Sequence, residues 1–172
     1  MNTERVPEYR TAIGQDSHRF AAESDTGRPL MLAGVQIPDA PGLLGNSDAD
    51  VVLHAVTNAV SGITGVNILG AVSDRMCLEE GIQDSAAYLV EALRHMDGFR
   101  PVHLSVSVEA ARPRLAPHID KMKARLAGLL SLDAGRIGLT ATTGEGLTDF
   151  GRGLGIQVFC VLTAARDLPD ED

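Results

Sequence analysis

Asp16-Ser17-His18 is the first segment of this chain that could do chemistry. In an extended segment residues i and i+2 point the same way, so a carboxylate and an imidazole share one face. Zn²⁺ takes His nitrogen and Asp oxygen in a tetrahedral shell, and the pair is half of such a site. The same residues also suit a hydrogen-bonded turn. His54 could complete the set, and three protein ligands with a fourth position open is the catalytic arrangement rather than the structural one. Its plainer reading is a half-buried helix histidine. His95, His103 and His118 compete for the role, and spacing alone does not choose among them.

A second chemistry sits at Thr142-Thr143-Gly144-Glu145. Backbone N–H groups and threonine hydroxyls at the end of a strand can hold phosphate oxygens. Glu145 could hold Mg²⁺ bridging two phosphates, as that ion binds through one or two carboxylates plus substrate phosphates. In isolation the segment also reads as a turn with surface threonines. Ala111-Arg112-Pro113-Arg114-Leu115-Ala116-Pro117 is a rigid loop with local positive charge, able to present backbone groups to a nucleobase edge or simply to join a strand to a helix. Asp48 and Asp50 precede a helix, where the dipole favours acidic residues. Their sharper reading is to hold a metal-ligating histidine in place.

The elements that must position these residues follow from periodicity. Residues 10–14 read as a strand running into Gln15-Asp16-Ser17-His18, and 30–37 as a strand or hairpin turning near Ala33-Gly34 and broken by Pro38, Pro41 and Gly42. Val52, Leu53, Val56, Ala59 and Val60 give a helix over about 49–65. A second helix spans 85–96 with Gly98 as its stop, and Pro117 opens a third through Leu129. Val102, Leu104, Val106 and Val108 alternate with polar residues, the clearest strand in the chain, and 136–142 and 155–164 are further strands. Three helices among about five strands predict an α+β (α/β) layer, a mixed β-sheet with helices packed on one face. The polar face of the alternating strand is left for something else to cover.

The chain of 172 residues carries 15 basic and 23 acidic residues, a formal charge of −8. That balance argues against a nucleic-acid or anionic-membrane surface. Aromatic content of 3% with no Trp argues against base-stacking platforms. No apolar run reaches spanning length, and two cysteines, Cys77 and Cys160, suit a reducing compartment; a cytoplasmic protein is expected. We expect a flexible N-terminus over 1–9, a single domain over 10–166 and an acidic tail over 167–172.

In order and spacing, Asp16-x-His18, Ser47-Asp48-x-Asp50-x-x-x-His54, Ala141-Thr142-Thr143-x-Glu145 and Gly151-Arg152-Gly153 together resemble the 2-C-methyl-D-erythritol 2,4-cyclodiphosphate synthase family, from about Arg10 to Ala165. The resemblance implies a homotrimer with sheets around the threefold axis, active sites between subunits, and the polar strand face thereby covered. It implies Zn²⁺ on Asp16, His18 and His54, and Mg²⁺ or Mn²⁺ on Glu145 with the substrate diphosphate. Cytidine would lie against Ala110, Arg114, Leu115 and Ala116, with Thr142 and Thr143 at its ribose and phosphates. Asn46, Ser47, Ile68, Gly70 and Arg152 fall at family substrate positions, and Thr143 and Asn46 at catalytic ones. The implied reaction is an intramolecular phosphoryl transfer on 4-diphosphocytidyl-2-C-methyl-D-erythritol 2-phosphate that releases CMP, with no protein nucleophile.

The departures cluster. The family's His-Ser-Asp-Gly-Asp is Asn46-Ser47-Asp48-Ala49-Asp50 here, an Asp four residues past the metal histidine is Asn58, and Gly-Asp-Ile-Gly reads without a gap as Asn67-Ile68-Leu69-Gly70. The family's Asp-rich Phe-Pro segment becomes Ser73-Asp74-Arg75-Met76-Cys77, and a Glu two residues past Arg152 is Leu154. On that alignment an imidazole and two carboxylates are lost where the family embraces the methylerythritol phosphate, while metal and cytidine segments stay intact. Asn cannot ionise, and Ile68 cannot hydrogen-bond through its side chain. Beside the synthase reading stand a paralogue acting on another CDP-alcohol and a catalytically weak, cytidine-nucleotide-binding trimer.

Overall fold

A computed structural model describes residues 7–22 and 27–168. Residues 1–6 and 169–172, to which most of the expected loose ends belong, lie outside the described residues. The chain order is β1 (Glu8–Arg19), β2 (Pro29–Leu32), β3 (Val35–Pro41), α1 (Val51–Thr64), α2 (Ala71–Leu78), α3 (Ser85–Leu93), β4 (Arg100–Glu109), α4 (Ile119–Leu130), β5 (Ile137–Thr142) and β6 (Gly155–Arg166). β1 begins two residues before the expected start, with Glu8 opposite Arg166 and Tyr9 opposite Ala165.

Four strands form one mixed sheet in the order β1-β6-β4-β5, antiparallel except for the parallel β4–β5 pair, and β2–β3 form a separate hairpin. The hairpin turns at Ala33-Gly34 as the sequence predicts, but β3 runs through Pro38 to Pro41, which a two-stranded ribbon with a free edge tolerates. Leu104, Val106 and Val108 on β4 face the helices with Ile156, Val158, Cys160 and Leu162 on β6, and all are buried. Burial pushes the Cys160 thiol up to about 12, so it acts as a small apolar filler.

The other face of this sheet is uncovered. β4 places His103, Ser105 and Ser107 there, as its alternation predicts, but pairing sets Val161 and Ile13 beside Ser105, and Phe159 beside Ser107. Ile13 is 66% exposed and Phe159 44%, so the face is a mixed apolar and polar surface rather than a polar one.

α1 lies on β1 at the shortest distance backbone allows. A Cβ added at Gly14 would sit 1.9 Å from the Ala55 carbonyl oxygen, so only glycine lets the helix settle here. Asp50 starts the helix: its carboxylate accepts from Val52 and Leu53 N–H, and equally from Ala33 (2.9 Å) and Gly34 (2.5 Å) in the β2–β3 turn. Burial pushes this carboxyl upward, and four backbone donors compensate. Asp50 therefore ties helix to hairpin and does not touch a histidine side chain. α2 has no counterpart in the periodicity, since only Val72, Met76 and Cys77 of its eight residues give it an apolar side, too few for a periodic signal. Among the described residues no helix is long and apolar enough to cross a membrane.

Candidate metal centre

β1 holds Asp16 and His18 on the face toward α1, and one turn into α1 stands His54. The three side chains meet. Asp16 Oδ2 lies 3.0 Å from His18 Nε2 and 3.0 Å from His54 Nδ1, and the two ring nitrogens are 3.1 Å apart. Among the described residues this is the one group of three acidic, histidine or cysteine side chains with ligand atoms so close together. His95 and His103, the rival histidines, stand elsewhere: His95 pairs with Glu91 at 3.7 Å, and His103 lies on the uncovered sheet face. His118 is at the start of α4.

The outer nitrogens decide what the inner ones can be. His18 Nδ1–H donates to the Leu44 carbonyl at 2.8 Å, because a carbonyl can only accept. His54 Nε2 lies 2.9 Å from Ser85 Oγ, whose own proton goes to Asp48 Oδ1. Each neutral ring has one proton, already used, so two bare nitrogens and a carboxylate oxygen point lone pairs at one another. Such a triangle calls for a cation. Tetrahedral zinc with bonds of about 2.0–2.1 Å spaces its ligand atoms by about 3.3 Å, close to the edges observed. Without a metal, a proton takes that place. Burial opposes the His18 charge, but the hydrogen bond and charge of Asp16 override it and raise the imidazole above its ordinary 6.5. Burial likewise pushes Asp16 up, and hydrogen bonds from His18 and His54 more than reverse this, holding it well below the usual carboxylate range.

The triangle opens into a cavity of about 540 Å³. Asn46, Ser47, Asn58, Asn67, Leu69, Ser73, Asp74, Cys77 and Tyr88 line it, and among the described residues no lysine or arginine does. Asn58 Nδ2 donates to the Gln15 carbonyl at 3.0 Å, and the Cys77 thiol donates to the Asn46 carbonyl at 3.3 Å. The backbone of Ser47 is held by Arg28 at 2.6 Å. Ile68 is absent from this wall. Its side chain is 1% exposed, packed into the core, and the polar neighbour Asn67 turns to the cavity instead. The side chains of this short loop before α2 alternate, so Asn67 and Leu69 face the cavity and the Ile68 side chain goes inward. Gly70 stands at the start of α2 at φ 120°, outside the lining of this cavity. Asn67 and Asp74 belong to the 67–77 segment that the resemblance puts around the polyol phosphate, whereas Tyr88 and Ser85 were missed as contributors; both come from α3, and nothing in their spacing links them to His54.

The second group of predicted residues lies apart. Asp16 of β1, Val158 of β6, Val108 of β4 and Ala141 of β5 form one row across the sheet. Three inter-strand steps of about 4.8 Å put Thr142 and Thr143 about 14 Å from the metal triangle. Glu145 is exposed in the left-handed conformation at φ 51°, next to Gly144 at φ 70°. Arg114 and Ala116 are exposed and Ala110 and Leu115 are buried in the facing loop, joined to this edge by Ala110 N–H donating to the Thr142 carbonyl at 3.0 Å. Arg152 is exposed and pairs with Asp149 at 2.6 Å. None of these residues reaches the cavity beside His54.

A mixed sheet with helices on one face, bearing an open two-histidine, one-carboxylate triangle, defines a metal-binding α+β protein with room for a substrate group as fourth ligand. The YgbB family profile matches residues 9–165, and the chain belongs to that family. The 2-C-methyl-D-erythritol 2,4-cyclodiphosphate synthase of Chlamydia caviae is 46% identical over 159 residues, covering 92% of this chain and 90% of that one. A similar enzyme of Chlamydia muridarum is 44% identical over 94% of this chain and 90% of its own. A solved structure of 2C-methyl-D-erythritol-2,4-cyclodiphosphate synthase in its CDP-bound form superposes with TM-score 0.79 at 32% identity, covering 90% of this chain and 99% of that one.

Proposed function

We propose that the protein cyclises 4-diphosphocytidyl-2-C-methyl-D-erythritol 2-phosphate to 2-C-methyl-D-erythritol 2,4-cyclodiphosphate and releases CMP, as a phosphorus–oxygen lyase. The observation that carries this is the triangle of three converging lone pairs at the mouth of a cavity, in a chain similar over nine-tenths of its length to enzymes of that name.

Asp16, His18 and His54 would hold zinc, which supplies charge neutralisation for a phosphate oxygen when bound. The 2-phosphate oxygen forms a bond to the β-phosphorus, the bond from that phosphorus to the bridging oxygen breaks, and the electron pair leaves on CMP. Two anions must be brought together, so positioning is the protein's main task. Asn46, Ser47, Asn58 and Asn67 supply neutral donors and acceptors around the polyol phosphate; Asn46 is assigned a catalytic part there. Thr142 and Thr143 take ribose and phosphate oxygens, Thr143 beside the reacting diphosphate. Glu145 would hold Mg²⁺ or Mn²⁺, which would supply charge neutralisation to the diphosphate. Ala110, Arg114, Leu115 and Ala116 form the cytidine edge, and Arg152 adds positive charge on the same side.

One CDP-linked substrate needs both half-sites, which a single chain keeps about 14 Å apart on opposite sheet edges. A homotrimer with sheets around a threefold axis would cover Ile13, Phe159 and Val161 and bring the nucleotide edge of one copy to the metal edge of the next. In this reading residues 10–166 act as one domain, in the cytoplasm, without nucleic-acid or membrane partners.

A different CDP-linked polyol phosphate is the second reading, favoured by the amide-lined wall at Asn46, Asn58 and Asn67. The deciding experiment is ³¹P NMR of the zinc- and magnesium-loaded protein with the methylerythritol substrate. A cyclic diphosphate with CMP is expected; intact substrate over a zinc-loaded protein would overturn the first reading in favour of the second.

A further inference from the structure

His18 and His54 present different atoms to the same point: Nε2 from His18, Nδ1 from His54. An imidazole presents whichever nitrogen its other partner leaves bare. For His18 that partner is the Leu44 carbonyl, a group with no alternative but to accept. For His54 it is a hydroxyl, which can donate as well as accept, so something must set the direction. Asp48 does so. Its Oδ1 takes the Ser85 proton, and its Oδ2 lies 3.4 Å from the Ser85 N–H. The hydroxyl is thereby left with only lone pairs toward His54 Nε2 at 2.9 Å. Ser47 Oγ, the other hydroxyl nearby, is 3.4 Å away from that nitrogen and already accepts from Ala49 N–H at 3.1 Å.

The relay is built rather than incidental. Ser85 is fully buried at the first turn of α3, and the loop bearing Asp48 is pinned to the same place by Asp48 N–H donating to the Gln83 carbonyl at 2.9 Å. Asp84 caps α3 through the Ala86 N–H at 2.8 Å, so the helix start does not need the Ser85 hydroxyl for itself. Three segments, 46–50, α1 and α3, converge on one ring edge.

We propose that Ser85 is a positioning residue for the metal centre: oriented by Asp48, its hydroxyl fixes His54 in the Nε2–H tautomer and delivers Nδ1 to the metal. The inference rests on the metal reading of the Asp16–His18–His54 triangle. Removing the hydroxyl frees the ring to rotate or to protonate Nδ1, and either change takes a ligand away.

The test compares the full-length parent with Ser85→Ala and Asp48→Asn, each stripped of metal and then titrated with zinc against a chromophoric chelator. Long-range ¹H–¹⁵N spectra of the ¹⁵N-histidine-labelled, metal-free proteins read the tautomer directly. Parent His54 should show the Nε2–H pattern; Ser85→Ala should lose it and bind zinc about 10–100-fold more weakly. Asp48→Asn, which keeps an acceptor but not the charge, should weaken zinc by a smaller factor and carries the test if the alanine variant fails to fold by circular dichroism. Zinc affinity within twofold of the parent in both variants, with an unchanged His54 tautomer, would overturn the proposal. No zinc binding by the parent would instead overturn the metal reading, while the tautomer spectra still decide the relay.

Discussion

The two proposed half-sites of this protein are built by opposite means. The metal triangle rests on buried side chains: Gly14 lets α1 touch β1, Asp50 fixes the helix start, and the Leu44 carbonyl and Ser85 hydroxyl set the rings. The proposed nucleotide edge rests on backbone shape in exposed loops, with Gly144, Glu145, Gly146 and Gly153 all at positive φ. The first is complete within one chain, and the second presents groups outward. A site of buried side chains is sensitive to any change in packing around it. A site of exposed backbone is sensitive to loop conformation and to what docks against it.

The largest expected effect separates the two most cleanly. His54→Ala should abolish bound zinc and lower turnover by a factor of about 10³ or more, given how much a bound metal contributes to charge stabilisation. Glu145→Ala should leave zinc content, read by atomic emission, unchanged. Loss of zinc in both variants would break the separation.

Ile68→Asp comes next. Charging a 1%-exposed core position should cost about 3–5 kcal/mol in urea unfolding, whereas Asn67→Asp, one residue away on the cavity wall, should cost less than about 1 kcal/mol. Equal costs would mean that the loop before α2 turns the other way.

Gly14→Ala should cost about 3 kcal/mol, the upper range for overpacking, and should weaken zinc as α1 is pushed off β1. Gly146→Ala, at φ 72° with open space around it, should cost only about 1 kcal/mol and leave zinc alone.

The smallest effect is on pH. With the His18 value raised above 6.5 in the metal-free protein, the Asp16–His18 pair adds stability that is full below the unfolded value and is lost as pH rises through the folded one. Zinc must displace that proton, so its affinity should climb as pH is raised through the same range, followed by calorimetry in two buffers. A flat profile would mean that no proton leaves on binding.

Much of this was legible from residue order. The alternation along β4 named its buried face, and the apolar spacing of 51–64 named α1. The ordered motifs selected Asp16, His18 and His54 where spacing alone left four histidines in competition. The cavity wall was legible only in part. Aligning Asn67-Ile68-Leu69-Gly70 without a gap put Ile68 at a substrate position, but which side chain turns inward depends on how the loop meets α2, and α2 itself has too few apolar residues to announce itself.

Sequence by itself therefore determined the candidate ligand set, the strands and every helix but α2, and the family, because side-chain chemistry and local periodicity are properties of short segments. Only the tertiary structure decided that Asn67 rather than Ile68 faces the cavity, that Ser85 stands behind a histidine 31 positions earlier, and that β4's polar face is shared with Ile13 and Phe159. Those outcomes depend on sheet order and helix docking, which bring together residues that no local pattern connects.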